Sequence, residues 1–332
     1  MLSRVAESIY WLNRYVERAE NVARFVDVNL NLFLDSPTNV AQQWEPLVVT
    51  TGDLSLFQER YDQATAENVI QFLIFDNDCP NSIISCLKAA RENARTIRQY
   101  ISREMWQQVN NFYFMVKEAH PGQSLSVLQE FFTQVKMASH LFAGVMDATM
   151  SHSEGWHFGQ LGRFIERVDK TSRILDVKYF ILLPRELAPA IATRSSTEDV
   201  GNTLDEIGWM ALLKSASAYE MYRKGSPQHR ITSTGVADFL ILNREFPRSI
   251  QFCLLEAEKS LHQITGTPAG TWKTPAERAL GRLRSSLDYL TIEEIIQSGL
   301  HEFLDDLQRQ INGVGDKIVE TFFALEPIQT LT

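Results

Sequence analysis

Fifteen residues of this chain recur 149 positions later without a gap: RYVERAENVARFVDV, from Arg14, aligns with RFIERVDKTSRILDV, from Arg163. Arg, Glu, Arg, Arg, Asp and Val keep their places. A second block, TAENVIQFLIFDNDCPNSIISCL from Thr65, aligns with TSTGVADFLILNREFPRSIQFCL from Thr232 and matches Pro80 with Pro247, Ser82 with Ser249 and Cys86 with Cys253. A weaker echo sets Gly144, Val145 and Asp147 against Gly313, Val314 and Asp316. Matches that follow one another in the same order point to internal duplication, which ties both halves to one architecture. The expectation is a single domain over residues 1–332, with repeats over 1–150 and 151–332 related by a pseudo-twofold axis. The second copy is longer by 18 residues between its first two blocks, and the Pro- and Ser-bearing stretch Leu183 to Asn202 can hold them. A loop of that length is a lid or a plain connection.

The repeats are helical in pattern. Apolar or small residues at Leu2, Val5, Ile9, Leu12, Val16, Ala19, Ala23, Val26, Leu30 and Phe33 alternate three and four apart, the seam of one long packed helix. The same seam runs from Phe158 through Leu161, Ile165, Val168, Ser172, Leu175 and Tyr179 to Leu182, and Pro184 forbids its continuation. SVLQEFFTQVKMASHLFAGVM and TIEEIIQSGLHEFLDDLQRQINGV are also helical in spacing, and no run alternates as a strand would. The fold class is therefore all-α, a helical bundle. Pro80 and Pro247 are expected in the first turn of a helix, with Asp78 and Glu245 ahead of it at the positive end of the dipole. TGTPAGTWKTP, from Thr265 to Pro275, reads as a flexible segment presenting Trp272 as an interaction tip.

With 44% hydrophobic and 22% charged residues the chain has enough apolar material for a core, which excludes disorder. A net charge of −9 opposes a duplex-binding surface, so no nucleic-acid partner is expected. The first twenty residues carry charges where a secretory signal needs an apolar run, and no window is long and apolar enough to span a bilayer. Cys79, Cys86 and Cys253 lack zinc spacing and suit reduced, buried thiols. Together these features predict a cytoplasmic protein without a membrane partner.

Charge is lined up on the first helix. Tyr10, Arg14, Glu17, Asn21 and Arg24 return to one side, away from the seam, and Arg163, Glu166, Lys170 and Arg173 take the equivalent places in the second copy. The stripe is open to three readings besides catalysis. It is a solvated face with intrahelical pairs such as Glu17 to Arg14 or Glu20 to Arg24. It is a buried network where the two stripes meet across the pseudo-twofold axis. Or it is a binding site for an acidic or carboxylate ligand, for which arginine's planar fork is suited. Arg248, beside a helix start, is a further candidate for holding an anion.

Glu154 and His157 have the E-x-x-H spacing of bundle-type di-iron sites, but the chain holds no second such pair, so no metal is expected. A helix N-terminus capped near Ser153, with Trp156 stapled into the bundle, accounts for the stretch. There is no G-x-S-x-G elbow, no Cys with a His partner nearby and no Gly-rich phosphate loop after a strand. Independent catalysis and a bound cofactor are not expected.

MLSRVAESIYWLNRYVERAENVARFVDV, EGWHFGQLGRFIERVDKTSRILDV, AYEMYRK from Ala218 and FPRSIQFCL together resemble the bacterial alpha-E family, over essentially the whole chain. The E-R pairs are Glu17 with Arg18 and Glu166 with Arg167. The resemblance implies an all-helical fold and a neighbourhood: members are typically encoded beside, or fused to, a circularly permuted ATP-grasp ligase and often near a transglutaminase-like peptidase. It further implies an accessory or substrate-binding subunit of a peptide or amide ligase system, orienting an acidic or peptide substrate that the ligase activates. The residues expected to line that site are Tyr10, Arg14, Glu17, Arg18, Arg24, Glu154, Arg163, Glu166, Arg167, Arg173 and Arg248. Rival readings are an enzyme acting on the ligase product at the same stripe, and a pure scaffold.

Overall fold

The unbroken three-four spacing of the N-terminal segment yields one helix, α1 (Ser3–Asp35), and its copy yields α8 (Glu154–Leu182), which stops just before Pro184. The computed structural model describes residues 1–35, 44–120, 124–182, 203–225 and 230–324, and among these it is helical without a strand. Between the long helices lie α2 (Glu45–Thr51), α3 (Leu54–Arg60), α4 (Ala66–Ile70), α5 (Ile83–Thr96), α6 (Arg103–Glu118) and α7 (Leu125–Thr149). After α8 come α9 (Thr203–Ser215), α10 (Tyr219–Gly225), α11 (Ser233–Leu242), α12 (Ile250–Thr265), α13 (Pro275–Leu287), α14 (Ile292–Ser298) and α15 (Leu300–Ile318). The loop from Leu183 to Asn202, read as a lid or connection, lies outside the described residues.

Helices α1 and α8 pack against each other at the centre. Gly162 makes the approach possible, because a Cβ there would collide with the main-chain oxygen of Tyr10. Around this pair, α5 and α7 lean on α1, while α12 and α15 lean on α8. Ile9, Leu12, Ala19 and Val26 are buried on α1, as are Leu161, Val168 and Leu175 on α8, within one contiguous apolar cluster that draws on both halves of the chain. Tyr10, Glu17, Glu20 and Asn21 are buried too, so α1 has no broad solvent face at its middle.

The second repeated block forms one corner twice. Helix α5 begins at Ile83 with Ser82 as N-cap, accepting from the Ser85 amide, and α12 begins at Ile250 with Ser249 accepting from the Phe252 amide. Each serine hydroxyl also donates back across the corner, to the Asp76 and Asn243 carbonyls. Pro80 and Pro247 therefore stand two residues before the caps and not in the first helical turn as their sequence suggests. The serines supply the capping oxygen, and the prolines shape the turn that precedes it. Beneath the corner, the Cys86 and Cys253 thiols reach the Pro80 and Pro247 carbonyls. All three cysteines are free and buried, and burial pushes each thiol up to about 12. Such thiols stay protonated and unreactive.

The connection from Thr265 to Pro275 is not the flexible segment its composition suggests. Glu277, buried under it, accepts from the Lys273 and Thr274 amides and from the hydroxyls of Thr265, Thr267 and Thr274. Burial alone would raise this carboxyl, but those donors hold it down at about 2. Trp272 is exposed above it, with the Arg278 guanidinium 5.0 Å from its ring centroid.

Candidate functional site

Where α1 and α8 cross, the two E-R pairs exchange partners. Arg18 grips Glu166 with two nitrogens, at 2.6 and 3.0 Å, and Arg167 reaches back to Glu17 at 2.7 Å. The two E-R pairs that align in the sequence thus contact each other reciprocally. Both glutamates are buried almost completely. Of the three readings of the stripe, the solvated face is wrong: a helix turn aligns the charges, but the facing helix covers them. Arg14 bonds Glu166 across the crossing at 2.8 Å and not Glu17 on its own helix, whereas the Arg24–Glu20 pair within α1 does form.

Each glutamate carries a second layer. Around Glu17, Arg248 comes from the corner before α12 to bond Glu17 at 3.1 Å and Glu20 at 2.5 Å, and Ser139 of α7 donates to Glu20 at 2.7 Å. Arg248 is therefore neither an exposed arginine nor a free anion cradle, since the anions it holds are these carboxylates. Arg24 adds contacts to His140 and Ser217. Around Glu166, Lys170 lies 3.8 Å away and also 3.1 Å from Asp169, which accepts from Arg173 at 2.8 Å. Asn81, the residue matching Arg248, accepts from Arg18 and donates to both oxygens of Asp53.

Burial by itself would raise the carboxyls of Glu17, Glu20, Glu166 and Asp169, yet all four are held below the usual range because cations surround them. Arg167 and Arg248 lower Glu17, and Arg18, Arg14 and Lys170 lower Glu166. Arg18 and Arg167 are raised in return, despite their burial, by the glutamates they pair with, and Arg14 by Tyr10 and then Glu166. Among the described residues that form ion pairs in the network, cations outnumber carboxylates on both sides. Arg14, Arg18, Lys170 and Arg173 face Glu166 and Asp169; Arg24, Arg163, Arg167 and Arg248 face Glu17 and Glu20.

Beside this network two recesses occupy matching positions. One, of about 220 Å³, is lined by Trp11 and Arg14 of α1, Ile165 and Asp169 of α8, and residues of α15 that include Gly315 and Asp316. The other has room for about 10 Å³ among Val16, Glu20, Arg163, Arg167 and residues of α7 that include Phe142. The repeat places Arg163 over Arg14, Val16 over Ile165 and Glu20 over Asp169. At the position of Gly315 it places Met146, whose methyl lies where a Cβ on Gly159 would stand. The first recess is lined by Gly315, whereas Phe142 lines the second.

Arg14 and Arg163, equivalent in sequence, differ accordingly. Arg14 pairs with Glu166, packs 4.9 Å from the Trp11 ring centroid and lines the open recess. Arg163 bonds only Gln160, at 2.5 Å, lies 5.0 Å from the Phe164 ring centroid, and its buried Nε has no hydrogen-bond partner among the described residues. Burial, then the neighbouring Arg167 charge, drops its guanidinium to about 10.

The remaining candidates are scattered by role. Tyr10 is fully buried; its hydroxyl receives Arg14 Nη1 at 3.3 Å, so it braces that guanidinium from behind. Glu154 holds the α-ammonium of Met1 at 2.8 Å at the start of α8 and makes no hydrogen bond to the network among the described residues. Nearby, His152 stacks on Trp156 with centroids 4.2 Å apart. No group of three or more His, Cys, Asp or Glu that could hold a metal occurs among the described residues, and no helix there is long and apolar enough to cross a membrane. The sequence reading missed Asp169, Ser139, His140, Asn81 and Asp316 as members of the site. Asp169 and Asn81 carried a signal, since they match Glu20 and Arg248 in the repeats.

A model of the Alpha-E family, described as a predicted α-helical domain with a conserved ER motif, matches residues 1–323. Among curated proteins the chain is similar to an uncharacterized protein of Mycobacterium bovis and to two of Mycobacterium tuberculosis, at 22%, 22% and 21% identity. Each alignment covers 97% of this chain, and the chain spans 37% of the length of those relatives. No solved structure matches it.

Proposed function

The chain belongs to the Alpha-E family, and on that footing we propose that it is an accessory, substrate-binding subunit of an ATP-grasp peptide or amide ligase system, holding a carboxylate or peptide substrate at Arg14. The observation that carries this reading is the open recess on Arg14, beside a network in which cations exceed carboxylates. Excess positive charge removed from water is stabilised by an incoming anion, and a guanidinium fixed by Glu166 is preorganised to receive one. In such a system the ligase activates the carboxylate, and this subunit supplies orientation.

Co-expression with the ATP-grasp protein, size-exclusion with light scattering and an ATP-consumption assay against amino acids and acidic peptides test it. A stable complex that consumes ATP faster, with Arg14→Gln lowering the stimulated rate about tenfold or more at unchanged helical content, is the expected result. No complex and no stimulation would sink the accessory role; a complex indifferent to Arg14→Gln would sink the site. A scaffold role is favoured by a different observation, the reciprocal Glu17–Arg167 and Glu166–Arg18 pairs, whose carboxylates are covered. It predicts that Ala substitutions lower the melting temperature more than any binding.

A further inference from the structure

The Arg14 recess offers a ligand more than a cation. Asp316 stands on the facing helix α15, exposed, and its carboxylate has no hydrogen-bond or ion-pair partner among the described residues. Arg14 and Asp316 line one recess without pairing with each other; Glu166 and Tyr10 hold Nε and Nη1 of Arg14, and its Nη2, like the Asp316 carboxylate, has no hydrogen-bond partner among the described residues. Asp169, also on the wall, is already held by Arg173 and Lys170. An anion alone would meet two carboxylates there; a cation alone would meet Arg14. A species bearing both charges satisfies both walls. The rest of the lining, apart from Asn312 and Gly315, is apolar: Trp11, Ile165, Ile311 and Val319. Size narrows the class, because about 220 Å³ is below the roughly 300–1,000 Å³ of clefts for drug-sized ligands. The matching recess has lost this use: Met146 stands in the place of Gly315, and Asp147, in the place of Asp316, lies 3.4 Å from His152.

Resting on the reading of Arg14 as a carboxylate site, we propose that the ligand is a zwitterion of amino-acid size with an apolar side chain, its carboxylate on Arg14 and its ammonium on Asp316. Isothermal titration of the full chain with leucine, N-acetylleucine and leucinamide tests this, beside the variants Asp316→Asn and Gly315→Met. Leucine is expected to bind at least about tenfold more tightly than either blocked form, since each lacks one charge-assisted contact. Asp316→Asn should bring leucine level with N-acetylleucine, and Gly315→Met, which puts a long side chain on the recess wall, should abolish binding of all three. If N-acetylleucine binds the native chain as tightly as leucine, or Asp316→Asn leaves the ranking unchanged, the zwitterion is wrong and the carboxylate site survives. If leucinamide binds best, or none of the three binds, both fall. Asp316 is exposed, so its variant carries the test should Gly315→Met fail to fold.

Discussion

A carboxylate moved into a protein interior loses several kcal/mol of hydration unless cations and donors meet it there. Glu166 is met by Arg14, Arg18 and Lys170, and Glu17 by Arg167 and Arg248. Removing one partner strands the other, so Arg18→Met and Arg167→Met should each cost about 3–5 kcal/mol in urea unfolding. A double-mutant cycle between Arg18 and Glu166 should return a coupling well above the few tenths of a kcal/mol of an exposed pair; additivity would refute the pairing. Arg163 is the internal control. Among the described residues it has no carboxylate partner and its buried Nε has no acceptor, and the fold disfavours its charge. Arg163→Met, which keeps an unbranched apolar stem and drops the charge, should leave stability unchanged or raise it by about 1 kcal/mol. A loss as large as that of Arg167→Met would show that Arg163 is paired after all.

The elements that place these residues are set by local chemistry at two kinds of position. At the corners, Ser82 and Ser249 cap α5 and α12 and thereby fix Asn81 and Arg248 against the network. Ser249→Ala should cost about 1 kcal/mol in a thermal melt, and Ser82→Ala about the same; a null effect in both would mean the turns hold without their caps. At the crossing, Gly162→Ala would press a methyl on the Tyr10 carbonyl and should cost about 1–3 kcal/mol. The long helices were legible because α1 and α8 obey one spacing from end to end, and the corners because the repeat aligns proline, serine and cysteine together. The placement of the prolines was not, since the choice between cap and first turn is made by which side chain reaches the free amides, and Ser82 and Ser249 win it. Angle alone put Arg14, Glu17 and Arg24 on one side of α1, but the burial of that side comes from a helix some 150 residues away. The difference between Arg14 and Arg163 was illegible for the same reason. It rests on what lines each recess, Gly315 and Asp316 of α15 beside Arg14 and Phe142 of α7 beside Arg163, residues that the helical spacing of α1 and α8 does not place.

Across the whole molecule, two electrostatic effects respond to acid, and they can be separated. The formal net charge is −9 with a sequence pI near 5.4, so mild acidification first brings the net charge to zero and then makes it positive, so that repulsion falls and returns, an effect that added salt screens. The buried network titrates differently. Glu17, Glu20 and Glu166 are all lowered from the ordinary value of 4.5, and Asp169 from 3.8. A carboxyl lowered by folding contributes stability that is fully present above its unfolded value and lost as pH falls through the folded one. Between those limits the unfolded chain binds more protons than the native one, and each unmatched proton costs about 1.4 kcal/mol per pH unit. The melting temperature should therefore hold near neutrality and fall steeply below about pH 4.5, and 0.5 M salt should not restore it, because the charges lie out of the solvent's reach. Glu166→Gln, already less stable at neutral pH, should show a shallower fall, by about one proton's slope. A decline that begins well above pH 5, or one that salt abolishes, would assign acid sensitivity to surface charge and remove the crossing network as the element that holds α1 to α8.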